Sequence, residues 1–112
     1  MIQYTPWGYA KVLSIGHNYK VKEIHIFPGE RISLHYHDYR DEIWYIVEGK
    51  GIVTIKDKQF DAQYRKMFMI PSKAAHRAEC TDGEELVIVE IQLGSCNSEE
   101  DIHRRADDFG RV

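Results

Sequence analysis

Gly29-Glu30-Arg31-Ile32-Ser33-Leu34-His35-Tyr36-His37-Asp38-Tyr39-Arg40-Asp41-Glu42-Ile43-Trp44-Tyr45-Ile46-Val47-Glu48-Gly49 holds two alternating runs joined by a short polar connection. With residues 31–37 extended, Ser33, His35 and His37 share one face and Ile32, Leu34 and Tyr36 the other, so both imidazoles point the same way. The connection, residues 38–41, returns the chain to Glu42, whose carboxylate can lie beside them, with Ile43, Tyr45 and Val47 on the opposite face. His76 opens another run directly after Pro71-Ser72-Lys73-Ala74-Ala75. Three imidazoles and a carboxylate suit one divalent ion, Zn, Mn, Fe, Co or Ni, and leave positions open for water or substrate. On spacing alone, surface histidines or hydrogen-bonded core histidines remain the alternative.

Outward from this stretch the same texture continues. Runs rich in Val, Ile, Tyr and Phe at 11–15, 19–27, 52–56, 67–70, 76–80 and 85–93 are separated by Gly, Pro, Asn or Asp, which is the pattern of an all-β sandwich or barrel. Gly16-His17-Asn18, Pro28-Gly29, Gly49-Lys50-Gly51, Asp57-Lys58 and Asp82-Gly83 supply the turn chemistry. Ser98-Glu99-Glu100-Asp101 resembles a helix start, so a short helix or turn is expected in the C-terminal tail. The 112 residues suffice for one core, so a single domain over 1–112 is expected. A formal charge of -3 and the lack of a basic stripe argue against nucleic acid as a partner. Cys80 and Cys96 fit no metal-ribbon or disulfide spacing and are expected to be free thiols. No run approaches the length of a membrane span, and the N-terminus lacks a basic region followed by an apolar one, so a cytoplasmic protein without membrane contact is expected.

The spacing Gly29-x5-His35-x-His37-x4-Glu42-x6-Gly49 resembles the first motif of the cupin superfamily in full. The second motif is partly kept: Pro71 and His76 stand at its separation, while Arg65, Lys73 and Cys80 fill places where cupins usually have Gly, Gly and Asn. The resemblance implies a single double-stranded β-helix, or jelly-roll, barrel with His35, His37, Glu42 and His76 as metal ligands. The chain is also similar to the cupin domain of type II phosphomannose isomerases, which forms the C-terminal part of bifunctional mannose-1-phosphate guanylyltransferases. Pro6-Trp7-Gly8, Tyr19-Lys20-Val21-Lys22, Pro28-Gly29, Arg40-x-Glu42-x-Trp44, Ile70-Pro71, His76-Arg77, Val89-Glu90-Ile91-Gln92 and Asp101-Ile102-x-Arg104-x-x-Asp107-x-Phe109-Gly110-Arg111 carry the likeness. His35 replaces that family's usual Gln, Ile43 its His and Phe109 its Tyr, and residues 93–99 lack its aromatic and glycine.

What the resemblance implies is metal-dependent interconversion of mannose 6-phosphate and fructose 6-phosphate through an enediol; guanylyl transfer is not expected of this stretch. Glu90 shares a face with Leu86, Ile88 and Gln92 and is a candidate base if that face lines the barrel, with a solvent-facing carboxylate as the alternative. Arg40, in the matched motif, is taken with Glu90 as catalytic. Lys20, Lys22, Arg104 and Arg111 are the candidate phosphate-binding cations, plain surface charge being the alternative. His17, His25 and His103 fit no pattern. A non-catalytic sugar-binding or regulatory cupin and an Fe(II)-dependent dioxygenase compete with the isomerase, and assays with sugar phosphates and of oxygen uptake separate the three. The apolar faces opposite the ligands need cover, from residues 2–9 or from a second subunit, and a homodimer is the simpler expectation.

Overall fold

The structure is a computed structural model describing residues 1–94 and 98–112, so the thiol expected at Cys96 lies outside the described residues. Its strands are β1 (Ile2–Thr5), β2 (Gly8–Ile15), β3 (Tyr19–Ile26), β4 (Leu34–Tyr36), β5 (Asp41–Glu48), β6 (Gly51–Ile55), β7 (Lys58–Ala62), β8 (Met67–Ile70), β9 (His76–Cys80), β10 (Leu86–Leu93) and β11 (His103–Ala106). One sheet has the order β1-β2-β3-β10-β5-β8, the other β11-β4-β9-β6-β7, and the paired neighbours are antiparallel. The all-β barrel read from the sequence is the fold.

Strand alternation divides the interior into an apolar end and a polar end. Across β3, β10 and β5 the register pairs Ile26 with Leu86, and Ile24 with Ile88 and Ile46; two residues further it pairs Lys22 with Glu90 and Trp44, and then Gln92 with Glu42. These residues all point inward and are buried, yet side-chain character changes from hydrocarbon to hydrogen-bonding group partway along the barrel. Ile26, Ile46, Leu86, Ile88, Val53 and Cys80 close the apolar end, each large aliphatic side chain contributing about 1.5–3 kcal/mol on burial.

Several expectations change. No helix occurs among the described tail residues: the Ser98 hydroxyl accepts the Glu100 N–H in a turn, and the chain then runs as β11 against β4. The strand expected over 31–37 is regular only from Leu34 to Tyr36, because Arg31 makes an isolated bridge to Glu79 and the alternation breaks between Ile32 and Ser33. Ile32 is therefore in the core, and not on an outer face with Tyr36. Tyr36 is covered by the chain's own tail, stacked on His103 at 4.8 Å with Arg105 5.6 Å from the ring centroid. β1 pairs with β2 at the far edge of its sheet from β5 and β8, so residues 2–9 do not cover Ile43 and Tyr45; Tyr45, Met67 and Met69 remain exposed. The turn expected at Asp57-Lys58 is centred one residue earlier, on Lys56 and Asp57, both with positive φ as a tight hairpin needs.

Arg65 and Lys73, which replace the glycines of the second motif, keep the glycine conformation, with φ of 76° and 69°. The loops are held by the bonds they make: Arg65 N–H donates to Ile46 O at 2.9 Å and Lys73 N–H to His37 O at 2.6 Å. Gly49 is required, since at φ 81° a Cβ would stand 2.2 Å from Glu85 O.

Candidate metal centre and binding cavity

His35 and His37 come from β4 and the residue just beyond it, Glu42 from β5 and His76 from β9, so both sheets contribute. One ring nitrogen from each of the three histidines lies within 4.8 Å of those of the other two. Glu42 Oε2 is 3.3 Å from His37 Nε2, and its Oε1 is 3.5 Å from His76 Nε2. All four side chains are buried.

Each imidazole is oriented from behind. Nδ1 of His35 donates to Ser33 O at 2.9 Å, that of His37 to Asp101 O at 2.5 Å, and that of His76 to Ala74 O at 2.8 Å. A proton fixed on Nδ1 leaves the Nε2 lone pair of the neutral ring free, which is the tautomer a metal ligand needs. Burial, joined by the like charges of His76 and His37, holds His35 well below the ordinary imidazole range, and burial lowers His37 too. Burial opposes ionisation of Glu42, but its contact with His76, helped by His37 and Arg40, outweighs this and keeps the carboxyl ionised. His76 Nε2 is buried and has no hydrogen-bond partner among the described residues. An orphaned nitrogen lone pair facing a carboxylate calls for a cation between them, so the donor set fits a borderline divalent ion. Arg40 competes for part of that position: its Nη2 lies 3.2 Å from His37 Nε2, and its Nε donates to Glu42 Oε2 at 2.8 Å.

His35, His37 and Arg40 also line a cavity of about 140 Å³. Glu90 lines this cavity and is buried, so of the two placements left open by the sequence the face it shares with Leu86 and Ile88 is the inner one. Its carboxylate accepts from Gln92 Nε2 at 2.7 Å and from Trp44 Nε1 at 3.0 Å, and the same indole N–H lies 3.1 Å from Glu42 Oε1. Burial, reinforced by the Glu42 charge, pushes the Glu90 pKa up to about 7. Lys22, Arg104 and Arg111 line the cavity as well, whereas Lys20 does not. Lys20 and Lys22 both bind the Glu99 carboxylate, Lys20 at 3.1 Å, and Arg111 is held by Asp107 through Nε at 2.8 Å and Nη2 at 3.0 Å. Reading the sequence missed Gln3, Thr5 and Trp7, which also line the cavity, and Asp101, which positions His37. The signal for Trp7 and Asp101 was that both sit in the matched segments, and for Gln3 and Thr5 there was none. A second group of donors, Asp38, Asp101 and His103, is spent internally: the Asp101 carboxylate accepts the Asp38 and Tyr39 N–H groups, and His103 pairs with Asp38 at 2.9 Å.

Comparison with known proteins places the chain in a family. Residues 1–108 match the family model described as "Mannose-6-phosphate isomerase C-terminal". The alginate biosynthesis protein AlgA of Pseudomonas aeruginosa is 38% identical over 109 residues, covering 97% of this chain and 23% of that protein. A mannose-1-phosphate guanylyltransferase of Klebsiella pneumoniae is 37% identical over 108 residues, covering 96% and 23%. The chain thus spans under a quarter of the length of these relatives. Among solved structures, KdgF from a Halomonas species superposes with a TM-score of 0.77 at 19% identity, covering 89% of each chain, a likeness of fold alone. The two-sheet barrel is that of a cupin, and the chain belongs to the mannose-6-phosphate isomerase C-terminal family.

Proposed function

We propose that the cavity binds a sugar phosphate and interconverts its aldose and ketose forms, mannose 6-phosphate and fructose 6-phosphate being the first pair to test. The observation that carries this reading is Glu90, a buried carboxylate that lines one cavity with His35, His37 and the cations of Lys22, Arg104 and Arg111 and whose pKa burial raises. Family membership supports the substrate class. A divalent ion held by His35, His37, Glu42 and His76 would act as a Lewis acid toward the sugar's carbonyl and hydroxyl oxygens. Glu90 accepts the proton from C2 of the aldose, the released electron pair forms the C1–C2 double bond while the carbonyl pair moves onto O1, a proton passes from O2 to O1, and the same carboxyl returns its proton to C1 as the carbonyl forms at C2. Gln92 and Trp44, each bonded to a different Glu90 oxygen, hold that carboxyl in place. Arg40 offers positive charge to the developing enediolate. Arg104 and Arg111, with Lys22, bind the phosphate, and Lys20 acts only at a remove, through Glu99.

The test is exchange of deuterium between C2 of mannose 6-phosphate and solvent, measured beside turnover in metal-loaded protein. Sugar phosphate bound with neither exchange nor turnover would remove the isomerase. A second reading, a metal-free sugar-binding module, is favoured by the Arg40 guanidinium standing against both His37 and Glu42. Sugar binding that survives a chelator, in protein purified without metal, would select it. A reducing compartment such as the cytoplasm suits both the free Cys80 thiol and a phosphorylated metabolite. We also propose that a second copy of this chain covers the exposed face around Tyr45, Met67 and Met69, because the N-terminal strand lies at the opposite sheet edge.

A further inference from the structure

Besides His76 Nε2, three buried polar atoms belonging to cavity-lining residues have no hydrogen-bond partner among the described residues: Thr5 Oγ1, Gln92 Oε1 and Arg104 Nε. Buried hydroxyl, amide and guanidinium groups are almost always paired, because leaving one dry and unpaired costs free energy. Here three such atoms come from three strands, β1, β10 and β11, and their side chains line one cavity. Gln92 is fixed in orientation, because its Nε2 donates to Glu90 at 2.7 Å and its Oε1 is thereby turned away from that carboxylate. The cavity lining therefore carries an oriented acceptor (Gln92 Oε1), a group that can donate or accept (Thr5 Oγ1) and a donor (Arg104 Nε).

We propose that Thr5 and Gln92 are specificity-determining residues that read hydroxyl groups of a polyhydroxylated ligand, Gln92 accepting from one hydroxyl and Thr5 bonding to another. Arg104 Nε then donates to an oxygen of the same molecule. The strand β1 is in this sense part of the binding site, although it holds none of the ionisable groups that the reaction uses. The inference rests on the reading of the cavity as a sugar-phosphate site. It adds that ligands of similar size lacking the matching hydroxyls are rejected, because each would leave a dry polar atom unpaired.

Thr5→Val tests it, since valine keeps the β-branched shape and removes only the hydroxyl. Binding of mannose 6-phosphate, of its single-deoxy analogues and of inorganic phosphate is measured for the wild type and the variant, together with Tm. The expected result is mannose 6-phosphate affinity weakened about three- to tenfold, the range of one neutral hydrogen bond, with phosphate affinity unchanged and Tm unchanged or raised because an unpaired buried hydroxyl has gone. One deoxy analogue should also lose no further affinity in the variant, as two changes at one contact must. Equal sugar-phosphate affinity in both proteins, or a lowered Tm with unaltered binding, would overturn the role of Thr5 and leave the isomerase standing. A wild type that binds no sugar phosphate overturns both. Normal Thr5-dependent binding without turnover removes the isomerase alone.

Discussion

His37 is aimed by a residue 64 positions further along the chain: its Nδ1 donates to the backbone carbonyl of Asp101 at 2.5 Å. Asp101 is in turn anchored by its own carboxylate, which accepts the N–H groups of Asp38 at 2.9 Å and Tyr39 at 3.0 Å. Burial opposes ionisation there, and these two N–H bonds outweigh it, lowering the Asp101 pKa. The tail is thus tied to the segment that follows a candidate ligand. Asp101→Ala should therefore weaken Zn or Co binding about tenfold without touching any ligand. Competition against a chelating dye measures it, and unchanged affinity would mean that the tail does not set the His37 orientation.

Metal content gives the plainest check on the ligand set. Wild-type protein should carry about one divalent ion per chain, and His37→Ala with His76→Ala should remove it. Because burial lowers the pKa of His35 and His37 below 6.5, both rings stay neutral as pH drops through that value. Retention measured by elemental analysis across pH should then hold to below 6.5, and release centred above it would contradict the assignment.

Glu90 should show itself in stability as well as rate. Below its ordinary value of 4.5 folded and unfolded chains both hold the proton, so its burial carries no ionisation penalty. As pH rises from there to about 7 the unfolded chain has lost a proton that the folded one keeps, so stability falls, and above about 7 the penalty is complete. Glu90→Gln should accordingly raise Tm at pH 8 relative to wild type and not at pH 4, while lowering kcat. The same Tm shift at both pH values would argue against a raised pKa.

Arg65 and Lys73 are exposed and sit at φ of 76° and 69°. A side chain in that region costs about 1 kcal/mol relative to glycine, so Arg65→Gly and Lys73→Gly should each stabilise the fold by roughly that amount in urea titrations. Destabilisation by either change would show that its side chain contributes more than the backbone loses.

The second-copy proposal predicts twice the monomer mass by light scattering at micromolar concentration, and the monomer mass for Tyr45→Lys with Tm little changed. A wild-type monomer would end it.

Much of the placement of these side chains was legible because alternation is a strong constraint. His35 and His37 had to share a face, Glu90 had to share one with Leu86 and Ile88, which the structure turns inward, and Glu42 and His76 stood at recognisable spacings. What stayed hidden was set by pairing rather than by pattern. Four of the five side chains in β7 are exposed, and the four in β11 alternate between exposed and half-buried, so neither presents an apolar stripe. β1 has no buried residue at all by whole-residue exposure, although the Thr5 hydroxyl itself is dry. The break at Ile32 was equally unreadable, because it depends on Ile32 N–H donating to Ala78 O and Ile32 O accepting from Arg77, contacts distant in sequence.

β1 and β11 are outer strands of two different sheets, yet Thr5 and Arg104 line one cavity. A molecule that fills this space is a bridge between the two sheets, made through strands that each have a neighbour on one side only. Outer strands open locally at lower free energy than central ones, and a ligand bound only by the closed form suppresses that opening. Occupancy would then be written in the amide hydrogen exchange of these two strands, which should slow together while β10 and β5, paired on both sides, barely respond.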